Sequence, residues 1–481
     1  MAQDKEAGFQ QSFPSTVDIP LFGMPLQRGV GTGDQRYVNV LFEKIKNPGT
    51  GGESYYVIKR PGLANSTQPP AGAATGRGIY AWQGRIYSAF ANKLYSGTTD
   101  LGVTLAGTSG RVWFTETAPT SSSQLLVVCD GADNYNITTG DVATQIDESD
   151  DAQYPTATLG PIVYMDDYLF QGKSTGAIWN CDSDSFASWT AGAFYSSSFY
   201  GDDLEALARV KEQLVGFGKK GTEFFFDNQT TPSPLMRITQ NALQVGMAHR
   251  NSLAQAGDTL LWVSEAWGDG GRSVWQMDGI SKISMVSNPT IDRFLAAEGS
   301  SISSCDAWIE RINGHLTYVL NLSSADRTFV YDLEERMWCE WSNTATARFP
   351  GISATSLNGT VYVQDRTNGR IYTLLPTTYQ DSGSNFTVTI QTDNYDFGTP
   401  FEKFQSGLWI IGDNTTGNLS VSEADDDYTT FNTARTIDMS SIHKFLAEGG
   451  SFHRRAYRLT YADNYALRLS KMSLQLDIGN A

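Results

Sequence analysis

The amino-acid sequence predicts an all-β protein whose central part is a β-propeller. Three observations lead to this prediction. Short runs rich in Val, Ile, Tyr, Phe, Trp and Thr alternate with Gly, Asn, Asp and Ser, a pattern typical of strands and turns. A polar turn before an apolar strand recurs about every 45 residues, which is the length of a propeller blade. A second, aromatic strand follows each of these turns, so the repeating unit contains a hairpin.

The polar turn occurs seven times along the chain. The turns are Gln83-Gly84, Ser121–Ser123, Asp166-Asp167, Lys211-Glu212, Ala256-Gly257, Asn313-Gly314 and Asn358-Gly359. The aromatic strands that follow them are Lys93–Tyr95, Asn134–Ile137, Ala177–Trp179, Glu223–Phe226, Ser273–Trp275, Thr328–Tyr331 and Arg370–Tyr372. The step between the fifth and sixth turns is longer than the others, which we attribute to a short helix inserted near Ile291.

These repeats predict about seven blades between residues 78 and 376, and six or eight blades follow if one unit is divided differently. Each blade must stack against two neighbours to bury both faces, so the ring is expected to close. The last unit is short of strands. We expect Tyr55–Lys59, from upstream, to complete it and close the ring.

Helical signals are few and short. Three segments have a Ser, Asp or Thr available as an N-cap: Thr290–Glu298, Asp203–Arg209 and Ser440–Leu446. We therefore expect at most three short helices in an otherwise β-rich chain.

The chain divides into four predicted regions. Residues 1–20 form an extended arm, because X-Pro steps there disfavour helix. Residues 21–77 contribute strands to the ring or to a sandwich, and residues 78–376 form the propeller. Residues 377–481 include a Ser382-Gly383-Ser384 linker, followed by strands that alternate apolar and polar residues, as in a β-sandwich-like domain.

Composition limits the function classes. The chain has 481 residues and a formal net charge of −17, with 40% hydrophobic and 12% aromatic residues. This is enough for a packed core, whereas the negative charge opposes a protein that grips nucleic acid by neutralising phosphates. No apolar run is long enough for a membrane-spanning helix, and the first residues lack the pattern of a secretory signal. The well-separated Cys129, Cys181, Cys305 and Cys339 predict free thiols in a reducing cytoplasm.

The sequence predicts no catalytic residue, cofactor site or metal site. The four histidines (His249, His315, His443 and His453) have no partner at helical metal-binding spacing and are expected on strands or the surface. The Gly-rich run Gly29–Gly33 is expected to be a flexible turn rather than a phosphate-binding loop. The acidic runs Asp147–Asp151 and Asp425–Asp427 are expected to be solvated turn tips. The pair Arg454-Arg455 is expected to be a solvated face or an interface contact.

Several segments together resemble a known family. They are Pro25–Gly31, Arg36–Val40 and Ile58–Leu63 near the start, Ile312–Leu320, Thr328–Asp332 and Met337–Trp341 in the repeats, and Arg454–Leu476 near the end. The most specific are the Lys59-Arg60-Pro61-Gly62 element and the Val330-Tyr331-Asp332 to Trp338 pattern. These segments resemble the tail-hub proteins of short-tailed bacteriophages, also called nozzle or packaged-DNA stabilisation proteins.

The resemblance implies a structural protein and not an enzyme. Such a protein would form a hexameric ring in the virion tail, assembled in the host cytoplasm. It would bind portal-adaptor proteins and tail fibre or tailspike proteins, and double-stranded DNA would pass through the ring without sequence recognition. Two other hypotheses remain open from the sequence. One is a glycan-binding or glycan-cleaving β-propeller, which predicts a central funnel with convergent carboxylates and arginines. The other is a host-encoded propeller scaffold.

Overall fold

The computed structural model of the protein describes residues 15–27, 34–46, 52–120, 123–197, 203–265, 271–280 and 282–479. The chain divides into two compact units. One unit is Pro61–Phe386, and the other combines Met1–Arg60 with Thr387–Ala481. In the described residues, no helix has the length and hydrophobicity that crossing a membrane requires.

Among the described residues, the Pro61–Phe386 unit contains seven groups of four adjacent antiparallel strands, which we call blades 1 to 7. The four strands of each blade are called a to d, from one edge of the sheet to the other. In that order, blade 1 is Gly76–Trp82, Arg85–Phe90, Lys93–Ser96 and Thr99–Thr104; blade 2 is Trp113–Glu116, Leu125–Cys129, Asn134–Thr138 and Ala143–Ile146; blade 3 is Leu159–Met165, Tyr168–Gly172, Ala177–Asn180 and Phe194–Ser196; blade 4 is Leu204–Val210, Gln213–Gly218, Thr222–Asp227 and Leu235–Arg237; blade 5 is Ala254–Ala256, Thr259–Ser264, Ser273–Asp278 and Lys282–Met285; blade 6 is Asp306–Ile312, His315–Leu322, Arg327–Asp332 and Met337–Trp341; and blade 7 is Gly351–Leu357, Thr360–Asp365, Ile371–Leu375 and Gly62–Thr67. The prediction of an all-β propeller is confirmed.

The repeating turn of the sequence is the connection between strands a and b. In blades 6 and 7 it is Asn313-Gly314 and Asn358-Gly359, and all four residues have positive φ, between 51° and 91°. Asn and Gly tolerate this left-handed backbone, whose twist matches that of the two flanking strands. The predicted aromatic strands lie in strand c of each blade, so the hairpin inferred from the repeat consists of strands b and c.

The ring is completed by an upstream strand, but not by the predicted one. Strand d of blade 7 is Gly62–Thr67, which pairs with Ile371–Leu375. The prediction that Tyr55–Lys59 plays this part is wrong, because Glu53–Lys59 pairs with Val40–Lys46 and with Arg468–Ile478 in the other unit. Pro61 lies between the two strands and has no N–H for a sheet ladder, so the strands on its two sides can join different sheets.

One of the three predicted helices is present among the described residues. The helix Pro289–Glu298 connects strand d of blade 5 to strand a of blade 6 and accounts for the longer step in the repeat; the Asn288 side chain accepts hydrogen bonds from its first N–H groups. The Asp203–Arg209 prediction is wrong because Leu204–Val210 is a strand that is buried on both faces, and burial overrides its helix-favouring composition. The Ser440–Leu446 prediction is also wrong, since Asp438 accepts the N–H of Ser440 in a turn before the strand Phe445–Phe452. Two short 3-10 helices, Arg250–Ser252 and Gly299–Ser304, complete the helical segments described.

The second unit contains two β-sheets built from both ends of the chain. The first has the order Val40–Lys46, Glu53–Lys59, Arg468–Ile478, Lys403–Gly412 and Phe445–Phe452, with Ser15–Pro20 also paired to Arg468–Ile478. The strands of the second have the order Arg36–Val38, Val388–Gln391, Ala456–Tyr461, Asn418–Ala424 and Arg435–Asp438. The buried Tyr457 hydroxyl of the second sheet donates to Gln405 Oε1 of the first at 2.7 Å, so side chains of the two sheets meet in the interior of this unit.

The boundaries of the regions predicted from the sequence differ from the boundaries of the two units. Residues 15–20 of the expected arm form a strand, and residues 1–14 lie outside the described residues. The sandwich was expected to begin at residue 377, whereas the structure divides the chain at Thr387. The reason is the small hairpin of Gln380–Asp381 and Ser384–Asn385, in which Asp381 Oδ1 accepts the N–H of Leu63 in blade 7.

Candidate functional site in the propeller channel

The propeller unit encloses a central cavity lined by residues from strand a, or its immediate flanks, in all seven blades. Strand a is therefore the inner edge of each blade. The cavity has a volume of about 640 Å³. At about 30 Å³ per molecule, this volume corresponds to roughly twenty waters. The cavity can accept solvent or a small ligand.

One arginine crosses this cavity. Arg111 precedes strand a of blade 2, and its Nη1 donates to the carbonyl oxygens of Asn251 at 3.0 Å and Ala307 at 2.8 Å. Asn251 precedes blade 5 and Ala307 belongs to blade 6, which lie opposite blade 2 in a seven-bladed ring. Burial lowers the pKa of Arg111, and Asp306 partly opposes this effect. The guanidinium thus ties opposite sides of the ring together at the end where strands a begin.

Three further charged residues line the cavity near the other ends of strands a: Glu116, Arg209 and Glu310. Burial raises the pKa of Glu310, whose Oε2 accepts a hydrogen bond from Ser356 Oγ at 2.5 Å. Arg209 donates to the carbonyl oxygens of Lys211 and Tyr164 at 2.7 and 3.2 Å. The cavity therefore contains carboxylates and two arginines, as the glycan hypothesis requires, but both arginines donate to backbone carbonyls.

The histidines that the sequence singles out are dispersed. His249 accepts the N–H of Asn251 at the start of a 3-10 helix, and burial lowers its pKa to about 4. His443 is exposed and lies beside the Trp409 ring, and His453 Nδ1 lies 3.0 Å from the carbonyl oxygen of Pro400. Burial opposes protonation of His315, but Asp332, Glu334 and Glu335 raise its pKa, so that its pKa lies above the ordinary value.

Two motifs treated separately in the sequence form one network in the structure. Arg455 is only 3% exposed and binds both carboxylate oxygens of Asp425, at 2.6 and 2.7 Å, while Arg454 pairs with Asp427. Arg455 is therefore not on a solvated face, whereas the side chains of Arg454 and Asp425 are 47% and 45% exposed, as expected for solvated groups. Sequence spacing could not reveal this pairing, because the partners are thirty residues apart.

The remaining motifs carry no assembled chemistry in the described residues. Asp147 accepts hydrogen bonds from Ser149 within a turn, and Gly29–Gly33 lies outside the described residues. None of the four cysteines forms a disulfide, all four are buried, and burial raises the pKa of Cys129 to about 11. Among the described residues one group has the composition of a metal site: His315, Asp332 and Glu334, whose ligand atoms lie within 4.8 Å of one another. Its members come from two strands and a turn, so linear spacing did not predict it.

Comparisons with known proteins found one matching family model and several similar solved structures. The family model described as bacteriophage P22 Gp10, β-propeller, matches residues 19–379. No curated protein matches the chain. Similar solved structures include virginiamycin B lyase from Staphylococcus aureus and the RRP9 WD40 repeats, each 12% identical over 66% of this chain and 100% of the other, with a TM-score of 0.40. The N-terminal domain of Nup159 is 9% identical over 71% of this chain and 99% of the other, with a TM-score of 0.38.

Proposed function

The chain belongs to the family of the bacteriophage P22 Gp10 β-propeller protein and has a structural role in a phage tail, and from this premise we propose that it is a tail hub. In this proposal several copies form a ring below the portal and adaptor of a short-tailed phage. The ring extends the DNA channel, retains the packaged DNA and anchors fibres or spikes.

The size of the propeller cavity is the observation that carries the proposal of a ring. A DNA duplex has a major groove that alone is about 12 Å wide, whereas the cavity holds about 640 Å³ and Arg111 crosses it. DNA cannot pass along the axis of one subunit. A DNA channel built from this chain must therefore run between subunits, and such a channel requires head-to-tail contacts that close by rotation.

The net charge of −17 agrees with a passive channel. An acidic wall repels phosphates, so the duplex can slide during ejection without sequence recognition. The proposed partners are copies of the same chain, in a hexameric ring, together with portal-adaptor proteins and fibre or tailspike proteins. Membrane insertion and enzymatic turnover form no part of the proposal, and assembly takes place in the host cytoplasm.

The proposal is tested with phage particles that lack this protein. We expect such particles to package DNA and then to lose it, and purified chain added to them should restore retention. The chain alone should sediment as a monomer or weak oligomer and form rings only on the adaptor. Absence of association with any tail component, or DNA retention that does not depend on the chain, would contradict the proposal.

The glycan hypothesis is tested in parallel because Glu116 and Glu310 line the cavity. A glycan-cleaving propeller should release reducing sugar from host-surface polysaccharide, and Glu310→Gln should abolish that release. The tail-hub proposal expects that neither the unchanged chain nor the Glu310→Gln variant releases reducing sugar. It also expects normal DNA retention by the Glu310→Gln variant.

A further inference from the structure

Blade 6 brings three metal-binding side chains to one end of its sheet. His315 begins strand b, Asp332 ends strand c, and Glu334 lies in the turn between strands c and d. The backbone holds these positions together, because the N–H of Leu333 donates to the carbonyl oxygen of Leu316. The N–H groups of Glu334 and Glu335 both donate to Asp332 Oδ1, which fixes the direction of that carboxylate.

The contact between His315 and Asp332 has the distance of an ion pair, but its angles do not meet the geometry of a hydrogen bond. His315 Nδ1 and Asp332 Oδ2 lie 2.9 Å apart, with side chains 12% and 3% exposed. Both atoms are buried, and neither meets the geometry of a hydrogen bond with any partner. Buried polar atoms without a hydrogen-bond partner are uncommon, and a binding site for an ion is one of the recognised explanations.

We propose that His315, Asp332 and Glu334 bind a divalent transition-metal cation of the zinc class. One imidazole nitrogen and two carboxylates form a ligand set that zinc accepts, with each ligand atom about 2 Å from the ion. Such an ion would satisfy Nδ1 and Oδ2 together, since atoms bound to the same ion lie side by side without pointing at each other. Three protein ligands leave one position for water.

Glu334 is the adjustable ligand of this site. Its side chain is 41% exposed, its Oε1 pairs with Arg311 Nη1 at 2.6 Å, and its Oε2 accepts the N–H of Leu316 at 2.9 Å. Each carboxylate oxygen has a second lone pair available to a metal. Arg311 is the competing cation, so Arg311→Gln should strengthen metal binding.

The test is calorimetric titration of Zn²⁺ into the metal-stripped full-length chain, which does not depend on the tail-hub proposal. We expect one saturable site per chain. His315→Gln and Asp332→Asn should each weaken it by about tenfold or more, while His443→Gln, which changes an exposed histidine outside the propeller unit, should not change it. Asn at position 332 keeps the oxygen that accepts the two turn N–H groups, so this variant should fold.

Circular dichroism of each variant separates loss of the site from loss of the fold. If His315→Gln does not fold, Glu334→Gln provides the second measurement, because its partly exposed side chain can be changed without opening the core. Zn²⁺ binding that Glu334→Gln weakens supports the site. Absence of saturable binding, or equal affinity in all folded variants, overturns the proposal.

Discussion

Blades 1 to 6 and blade 7 have the same four-stranded order but are built differently from the chain. Each of the first six is formed by one continuous segment, whereas blade 7 joins Gly351–Leu375 to Gly62–Thr67. A blade formed by one continuous segment needs only short hairpins to bring its strands together. Blade 7 can form only when two distant segments meet, although loop-closure entropy rises slowly with length. The difference indicates that closure of the ring depends on blade 7 more than on any other blade.

The junctions between blades show the same difference on a smaller scale. Gln364 of blade 7 is fully buried; it donates to the carbonyl oxygen of Ala89 and accepts the N–H of Gly78, both at 2.8 Å, in blade 1. Gln171 of blade 3 is also fully buried and donates to Asn134 Oδ1 of blade 2 at 2.9 Å, but its own Oε1 has no hydrogen-bond partner. The closing junction is thus the more completely hydrogen-bonded of the two.

The largest expected effect comes from Gly62→Val in strand d of blade 7. A Cβ at position 62 would lie 2.1 Å from the carbonyl oxygen of Gln380, so a side chain there must displace backbone. We expect the free energy of unfolding in urea to fall by about 3 kcal/mol. The control is Gly72→Ala, where a Cβ meets nothing within 4 Å and stability should hold or rise slightly. Equal stability of the two variants would contradict a special role for the closing strand.

A smaller effect is expected from Gln364→Leu. This change removes the hydrogen bonds that Gln364 makes with the Gly78 N–H and the Ala89 carbonyl oxygen in a buried junction, at a cost of about 1–3 kcal/mol. The matched variant Gln171→Leu removes a strong hydrogen bond to Asn134 and two long ones to Thr158 and Cys129, but it also removes an unsatisfied oxygen and leaves no backbone group of the junction without its side-chain partner, so its cost should be lower. Thermal unfolding of both variants decides the comparison. If Gln171→Leu lost more stability than Gln364→Leu, the junction between blades 7 and 1 would be the weaker of the two, contrary to our expectation.

The same comparison explains what could be predicted from the sequence. The repeat of turns and aromatic strands predicted strands b and c of every blade, because hairpins depend on local chemistry. Strand d of blade 7 was assigned to the wrong segment, since nothing local distinguishes Tyr55–Lys59 from Gly62–Thr67 as a partner for a strand about 300 residues away. Strand a of blade 4 was predicted as a helix because burial, not propensity, determines its conformation.

The cavity and the His315 cluster were beyond sequence analysis for a related reason. The partners of Arg111 are 140 and 196 residues away, and their acceptors are backbone carbonyls that any residue type provides. His315 and Asp332 come close only through the register of strands b and c, in which Thr317 pairs with Asp332 and His315 lies two residues before Thr317. A pattern search finds ligands at fixed spacing, whereas these depend on which residues face each other across a hairpin.

The smallest expected effect concerns the turn between strands a and b. The energy of this turn should be the same in blade 7, which closes the ring, as in the other blades. Lys211 in blade 4 has a φ of 56°, while the equivalent Asn313 and Asn358 in blades 6 and 7 both have a φ of 51°. Left-handed backbone costs most L-residues about 1 kcal/mol, and Asn adopts it more readily. Lys211→Asn should therefore raise the free energy of unfolding by about 0.5 kcal/mol, and Asn358→Lys should lower it by a similar amount. Urea midpoints measured on both variants test this symmetry. A much larger loss for Asn358→Lys would mean that the a–b turn also contributes to closing the ring, because the same backbone strain would then cost more in blade 7 than in blade 4.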